Sequence, residues 1–191
     1  MDKNISILAF AGSLRKGSFN KSLLRAAAES APPDAELEIF DLAGIPVFNQ
    51  DEENILPEKV REFKAKLRAA DAVLIATPEY NYSLPGVLKN AIDYATRPSG
   101  DNSFAKKPVA IMGASNGMLG TARAQYHLRQ VLVSLDMYPL NRPEVMVTFA
   151  ESKIDQNGVL TDPKTREMIG RLLVNLLAWT RKLQKDKTGD A

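Results

Sequence analysis

The chain contains no cysteine, a single histidine and a single tryptophan. The absence of cysteine excludes disulfides, thiolate metal sites, iron–sulfur clusters and cysteine nucleophiles together. The one histidine, His127, falls mid-helix without a recognisable carboxylate or hydroxyl partner, so the material for a catalytic triad is missing. No apolar run approaches the ~18–20 residues of a membrane span. The opening residues MDKNISILAF also lack the long apolar core and small-residue cleavage site of a secretory signal, so the expectation is a cytoplasmic protein with no membrane partner. An excess of one charge is absent too: 25 Lys+Arg against 23 Asp+Glu leave a net charge of +2. The basic residues are scattered or gather at the C-terminal helix end (Arg181, Lys182, Lys185, Lys187), where they complement a helix dipole. They do not form the patch of a nucleic-acid binder. The acidic triplet Asp51-Glu52-Glu53 has no histidine near it and reads as a solvated loop, not a metal site.

What is present is an ordinary globular composition, 45% hydrophobic over 191 residues, which suits one domain spanning residues 1–191. Near-continuous apolar runs predict buried strands at Ile5–Ala11, Asp71–Thr77 and Pro108–Gly113. A further strand is expected at Glu36–Phe40, where the alternation of Leu37 and Ile39 with glutamates suits an edge position, and a last one within Tyr138–Thr148, placed at Glu144–Val147 after Pro143. Helical spacing and Pro positions predict helices over Asn20–Ser30, Pro57–Ala69, Pro85–Thr96 and Thr121–Leu135, and from the Asp162-Pro163 cap to about Gln184. Residues 41–56 read as a surface loop with an apolar plug at Ile45, Val47 and Phe48. Five strands alternating with five helices predict a three-layer α/β/α sandwich around a five-stranded parallel sheet with right-handed crossovers.

In such sheets ligands bind beyond the carboxyl ends of the strands, which singles out three loops. The first, GSLRKGSFN at Gly12–Asn20, offers Ser13, Arg15, Ser18 and Asn20, with Phe19 between them, at the start of a helix. Hydroxyl, guanidinium and amide donors at a helix N-terminus favour an anion. The pattern is neither G-x-x-x-x-G-K-[ST] nor G-x-G-x-x-G, and suits a single terminal phosphate such as that of FMN. An ordinary strand-to-helix turn capped by Ser18 is the alternative. The second loop, Pro78-Glu79-Tyr80-Asn81-Tyr82, carries an amide and two aromatics suited to the edge and face of a flavin ring. There Glu79 acts either as an acid/base group or as a fastener of the loop, and flavin chemistry does not require the former. The third, Ser115-Asn116-Gly117, adds small donors. Arg97, at the end of the helix after the second loop, either draws in an anionic acceptor or a nucleotide phosphate, or caps that helix's carbonyls.

Taken together, GSLRKGSFN at Gly12–Asn20, PEYNYSLPGVLKNAIDY at Pro78–Tyr94 and GASNGMLGTARAQYHLR at Gly113–Arg129 resemble the NAD(P)H-dependent FMN reductase family, and within it the chromate and quinone reductase branch. The resemblance spans about Ile5–Trp179. It implies a flavodoxin-like fold, noncovalently bound FMN, NAD(P)H as electron donor, and a homodimer or homotetramer with the flavin near a subunit interface. It maps the phosphate onto Ser13, Arg15, Ser18 and Asn20, and the flavin onto Pro78–Tyr82, with Ser115 in the third loop. The expected activity is ping-pong transfer of a hydride from NAD(P)H through FMN to quinones, chromate, azo or nitroaromatic acceptors. The helix bearing Arg123, Tyr126 and Arg129 is the expected interface, with Glu144 as a charged partner. The alternative is a flavodoxin-like electron carrier or an FMN-binding interaction protein without NAD(P)H turnover, against which the near-neutral charge tells.

Overall fold

Continuous apolar runs in the sequence become the interior strands of one sheet. In a computed structural model, β1 (Ile5–Ala11), β2 (Ala35–Phe40), β3 (Ala72–Ala76) and β4 (Pro108–Ala114) pair in parallel in the order 2-1-3-4. The structure describes residues 4–188, with side chains through Asp186, so Met1–Lys3 of the N-terminal stretch and the Lys187 side chain of the basic cluster lie outside the described residues. The fifth position is shared by two short segments. β5 (Tyr138–Pro139) pairs with the start of β4, and β6 (Val145–Val147) pairs with its end. The strand expected at Glu144–Val147 is therefore half of an interrupted strand, broken where Pro143 cannot supply a ladder N–H. The resulting order 2-1-3-4-5 is the flavodoxin-like one.

Period-two alternation sends the two sets of strand side chains to opposite faces. Ile7, Ala9, Leu74, Met112 and Val145 meet α1 (Phe19–Glu29) and α5 (Pro163–Thr188) on one side. Leu8, Phe10, Val73, Ile75 and Ile111 meet α2 (Glu58–Ala69), α3 (Gly86–Ala95) and α4 (Ala122–Ser134) on the other. β2 is the edge strand its alternation predicts, with Glu36, Glu38 and Ile39 exposed. In the loop after it, Ile45 is partly buried against the second core and Phe48 packs edge-on to Tyr94, with the ring centroids 5.1 Å apart. Val47, expected in the same plug, is 86% exposed instead. The loop is pinned by polar bonds that periodicity does not reveal: Phe48 N–H to Asn90 Oδ1 at 2.8 Å and Asn90 Nδ2 to Pro46 O at 2.7 Å. Among the described residues no helix is long and apolar enough to cross a membrane, and no cluster of His, Cys, Asp and Glu is placed to hold a metal ion.

Two contacts at the carboxyl ends show how closely the site's supports are packed. A Cβ on Gly12 would stand 3.1 Å from Leu88 Cβ and Pro85 Cγ, so the first loop lies directly on α3. A Cβ on Gly113 would stand 1.9 Å from Thr121 Oγ1 and 2.5 Å from the Thr77 carbonyl, which leaves room there only for glycine.

At the start of α5 the Asp162 carboxylate accepts from Thr165 N–H at 2.8 Å and from Thr165 Oγ1 at 2.6 Å, the capping arrangement expected from sequence. The hydroxyl and backbone donors of Thr165 hold the Asp162 carboxyl below its ordinary range. Its stabilisation is present above the unfolded value near ~3.9 and is lost as pH falls through the lower folded value. Asp162→Ala should lower stability by about 1 kcal/mol in urea unfolding at pH 7. The difference from the parent should shrink towards pH 3, and a difference that is constant across this range would contradict the capping role.

Candidate active site

The three loops that sequence order places after β1, β3 and β4 meet in one cavity of about 190 Å³ beyond the carboxyl ends of the strands. Its walls are Ser13, Arg15, Ser18, Phe19 and Asn20 from the first loop, Pro78, Glu79 and Tyr80 from the second, and Ala114, Ser115 and Asn116 from the third. Asn81, Tyr82 and Gly117 are exposed and stand outside this lining.

Each wall has a local cause. Gly12 N–H bonds Ala76 O at 2.9 Å, which carries the β1–β3 ladder one residue past the strand before the first loop departs. Ser18 is the N-cap of α1, its hydroxyl accepting from Lys21 N–H at 3.4 Å, so capping and cavity lining coexist in one residue. The first turn of α1 carries no acidic side chain, which leaves its dipole and free N–H groups unneutralised. The Arg15 guanidinium is exposed and makes no ion pair among the described residues.

Asn20, expected from sequence among the phosphate donors, also has a structural engagement. It is 2% exposed, and its carboxamide is engaged in two bonds with one backbone unit: Nδ2 donates to Ala114 O at 3.1 Å and Oδ1 accepts from Ala114 N–H at 3.0 Å. Asn20 is a cavity wall and a clamp that ties the first loop to the third.

The second loop is a tight hairpin. Tyr80 and Ser83 exchange backbone bonds at 3.1 and 3.0 Å, and the two residues between them, Asn81 and Tyr82, have φ of +49° and +68°. Two positive φ values are what a type I′ turn requires, and glycine is the usual occupant of the second. Here that place is held by a tyrosine, and α4 supplies the support. Arg123 lies over the Tyr82 ring at 3.6 Å and pairs with the Glu79 carboxylate. The same carboxylate accepts from Ala124 N–H at 3.2 Å, capping the start of α4. His127, one turn further on, bonds the Ser83 hydroxyl through Nδ1 at 2.8 Å. The histidine therefore does have a hydroxyl partner, one brought to it from 44 positions away, and the exposed pair serves to hold the loop. Of the two roles open to Glu79, this geometry engages it as a fastener.

Arg97 is not brought to the cavity. It follows the carboxyl end of α3, against the loop after β2, with Glu53 3.8 Å away and the Phe48 ring 5.9 Å away. Carbonyl capping there falls to Lys64, whose buried ammonium reaches Ala95 O at 3.5 Å, Asp101 O at 3.0 Å and the Arg97 carbonyl. Glu144 pairs within the chain with Arg142 at 3.0 Å.

A roomier cleft of about 420 Å³ lies between β1, β2 and α2, floored by Ser6 and Leu8 and bordered by the Lys66–Glu38 ion pair. Its only lining cation, Lys66, is already paired with Glu38. The smaller cavity at the carboxyl ends holds the unneutralised donors, and donors rather than volume decide where an anionic cofactor binds.

Removing Arg123 as Arg123→Met leaves the Glu79 carboxylate, 8% exposed, without its cation, and Tyr82 without its support. The expected cost is about 2 kcal/mol, reduced from the value of a fully buried pair by the guanidinium's own exposure. Hydrogen exchange at the Tyr80 and Ser83 amides should quicken more than tenfold. Arg123→Lys should restore little, because an ammonium provides neither the planar stack nor the fork. Unchanged exchange at both amides would show that α4 does not hold the loop.

Residues 5–152 match the family model for NADPH-dependent FMN reductase. An NAD(P)H-dependent FMN reductase of Pseudomonas aeruginosa is 51% identical over 185 residues, covering 96% of this chain and all of that protein. A 2-hydroxy-1,4-benzoquinone reductase of a Burkholderia species is 45% identical over 177 residues, covering 93% of this chain and 97% of the relative. Among solved structures, the flavoenzyme NAD(P)H:(acceptor) oxidoreductase FerB of Paracoccus denitrificans superposes with a TM-score of 0.85 at 35% identity, covering 93% of this chain and 98% of that one. With the sheet order, the converging loops and these matches in hand, the chain belongs to the NADPH-dependent FMN reductase family of oxidoreductases.

Proposed function

We propose that the chain holds FMN with its phosphate in the Gly12–Asn20 loop and its flavin beside Pro78–Tyr82 and Ser115–Gly117, and that it passes reducing equivalents from NAD(P)H to quinones. The observation that carries this reading is the convergence of loops one, two and three on a single cavity whose donors lack an internal anion. Ser13, Ser18, the first turn of α1 and the Arg15 guanidinium form a donor set matched to a phosphate dianion. The cavity is too small to enclose a whole cofactor, so the flavin is read as lying at its open mouth, where Tyr80 and Asn116 stand. Bound FMN supplies hydride acceptance and release. The chain's own residues would hold and orient it, and the proposed scheme is ping-pong, with donor and acceptor bound in turn.

Quinones are the proposed acceptor class, in keeping with the benzoquinone reductase relative. Chromate, azo and nitroaromatic compounds extend the same proposal. The chain is read as one FMN-binding domain that assembles as a homodimer or homotetramer. The outer face of α4 is the favoured contact, because Tyr126 and Val133 are exposed there beside Arg123 and Arg129.

Anaerobic addition of NADPH to the FMN-loaded protein should bleach the visible flavin absorption within the mixing time of a stopped-flow experiment, and quinone should restore it. Arg15→Ala should weaken FMN binding about ten- to hundredfold, the worth of one charge-assisted bond. The rate of flavin reduction in the FMN-saturated variant should stay within about threefold of the parent, since Arg15 is assigned to the phosphate end and not to the transition state. Full retention of FMN with loss of turnover would remove the phosphate role from this loop.

A further inference from the structure

The rim of the site has a fourth member, on which the assignment of the cofactor makes no demand. After β6 the chain passes through Thr148 and Phe149 into one 3₁₀ turn, Ala150–Ser152. This segment is joined to the third loop by backbone bonds, Ser115 N–H to Val147 O at 3.0 Å and Ala150 N–H to Ser115 O at 3.1 Å. Asn116 adds two more: its Oδ1 accepts from Glu151 N–H at 2.9 Å and its Nδ2 donates to Glu151 Oε2 at 3.2 Å. At the head of this well-tied turn Phe149 has φ of +49°, a left-handed conformation that a bulky side chain rarely adopts. The residue is 53% exposed, so this conformation is not one that buries its side chain in the core. A backbone outlier held firmly beside an active-site loop points to a functional demand on the side chain.

The space beside that ring has a distinct chemistry. A cleft of about 330 Å³ is lined by Phe149, Asn116, Glu151 and Ser152, and Asn116 also lines the cavity assigned to the cofactor, so the two spaces share a wall. The cleft offers one aromatic face, an amide, a hydroxyl and a carboxylate, with no cation among its lining residues. A planar apolar ring gains from offset or edge-on packing against phenylalanine. An inorganic oxyanion gains nothing there and meets the Glu151 carboxylate.

We infer that Phe149 is a specificity-determining residue, a stacking wall on the acceptor side that favours planar aromatic acceptors of the quinone class over inorganic anions. The inference rests on the FMN-dependent reading above. It adds no step to the reaction and concerns only which acceptor is received.

The test uses FMN-loaded parent, Phe149→Ala and Phe149→Tyr. Phe149→Ala should raise KM for 1,4-naphthoquinone about three- to tenfold, leave kcat/KM for ferricyanide within twofold, and keep the parent's flavin content and rate of reduction by NADPH. Phe149→Tyr should restore the quinone KM. Saturation-transfer NMR with 2-naphthol, which accepts no electrons here, should show its dissociation constant rising by the same factor in the alanine variant. Equal losses for naphthoquinone and ferricyanide, an unchanged quinone KM, loss of FMN, or a changed sedimentation coefficient would each overturn the assignment. The last two would place the ring against the cofactor or a second copy of the chain. Failure of the parent to be reduced by NADPH would count against the FMN-dependent reading itself, and the naphthol titration would still decide whether Phe149 binds a planar ring.

Discussion

Two hydrogen bonds between the Asn20 carboxamide and the backbone of Ala114 determine where the first and third loops sit. Asn20 belongs to the first turn of α1 and Ala114 ends β4, with β3 between β4 and the strand that feeds α1. A buried amide that donates to the carbonyl and accepts from the N–H of one residue substitutes for the strand partner that Ala114 lacks on that side. Leaving those backbone groups unpaired in a buried place would be costly. The bond therefore does more than close a gap. It ties together the segments that bring Ser13, Ser18 and Ser115 to one cavity.

The remaining loop is held from the other face of the sheet. The Tyr80–Ser83 hairpin contains two positive φ angles in non-glycine residues, a geometry that its own sequence does not favour. α4 offsets this through Arg123, Ala124 and His127, which contact Tyr82, Glu79 and Ser83 in turn. The second loop is thus braced by a neighbouring helix. Placing recognition groups on such braced loops lets an open site retain a defined shape. Lys64 performs a comparable service at the carboxyl end of α3, where burial lowers its pKa and the adjacent Asp101 carboxylate opposes that shift.

Much of this was legible in the sequence because the signals were local. Apolar runs at Ile5–Ala11 and Asp71–Thr77 identified central strands, the Leu37/Ile39 alternation identified the edge strand, and Asp162 before Pro163 announced the last helix. The three site loops were readable from donor-rich stretches after those strands. What escaped was long-range. Nothing near Glu79 or Ser83 announces Arg123 or His127, over 40 residues away, and Asn20 reads equally well as a ligand donor until Ala114 is seen beside it. Val47 failed as a core residue because the loop is pinned through its backbone by Asn90 and Tyr94, leaving the side chain free to face water. The Phe149 turn carried a faint signal, an aromatic directly after the last strand, but its approach to Asn116 depends on β6 pairing with β4.

In the proposed function the Gly12–Asn20 loop, set in place by Asn20 and Ala114, receives the phosphate of FMN as a dianion. Phosphorus-31 NMR of the FMN-loaded protein across pH 5–9 tests it directly. A phosphate held by Ser13, Ser18, Arg15 and the start of α1 should stay dianionic, with a chemical shift that does not move through this range. A shift that titrates with the pKa near 6 of a free phosphomonoester would contradict the claim, because it would show the phosphate in water and the cradle empty.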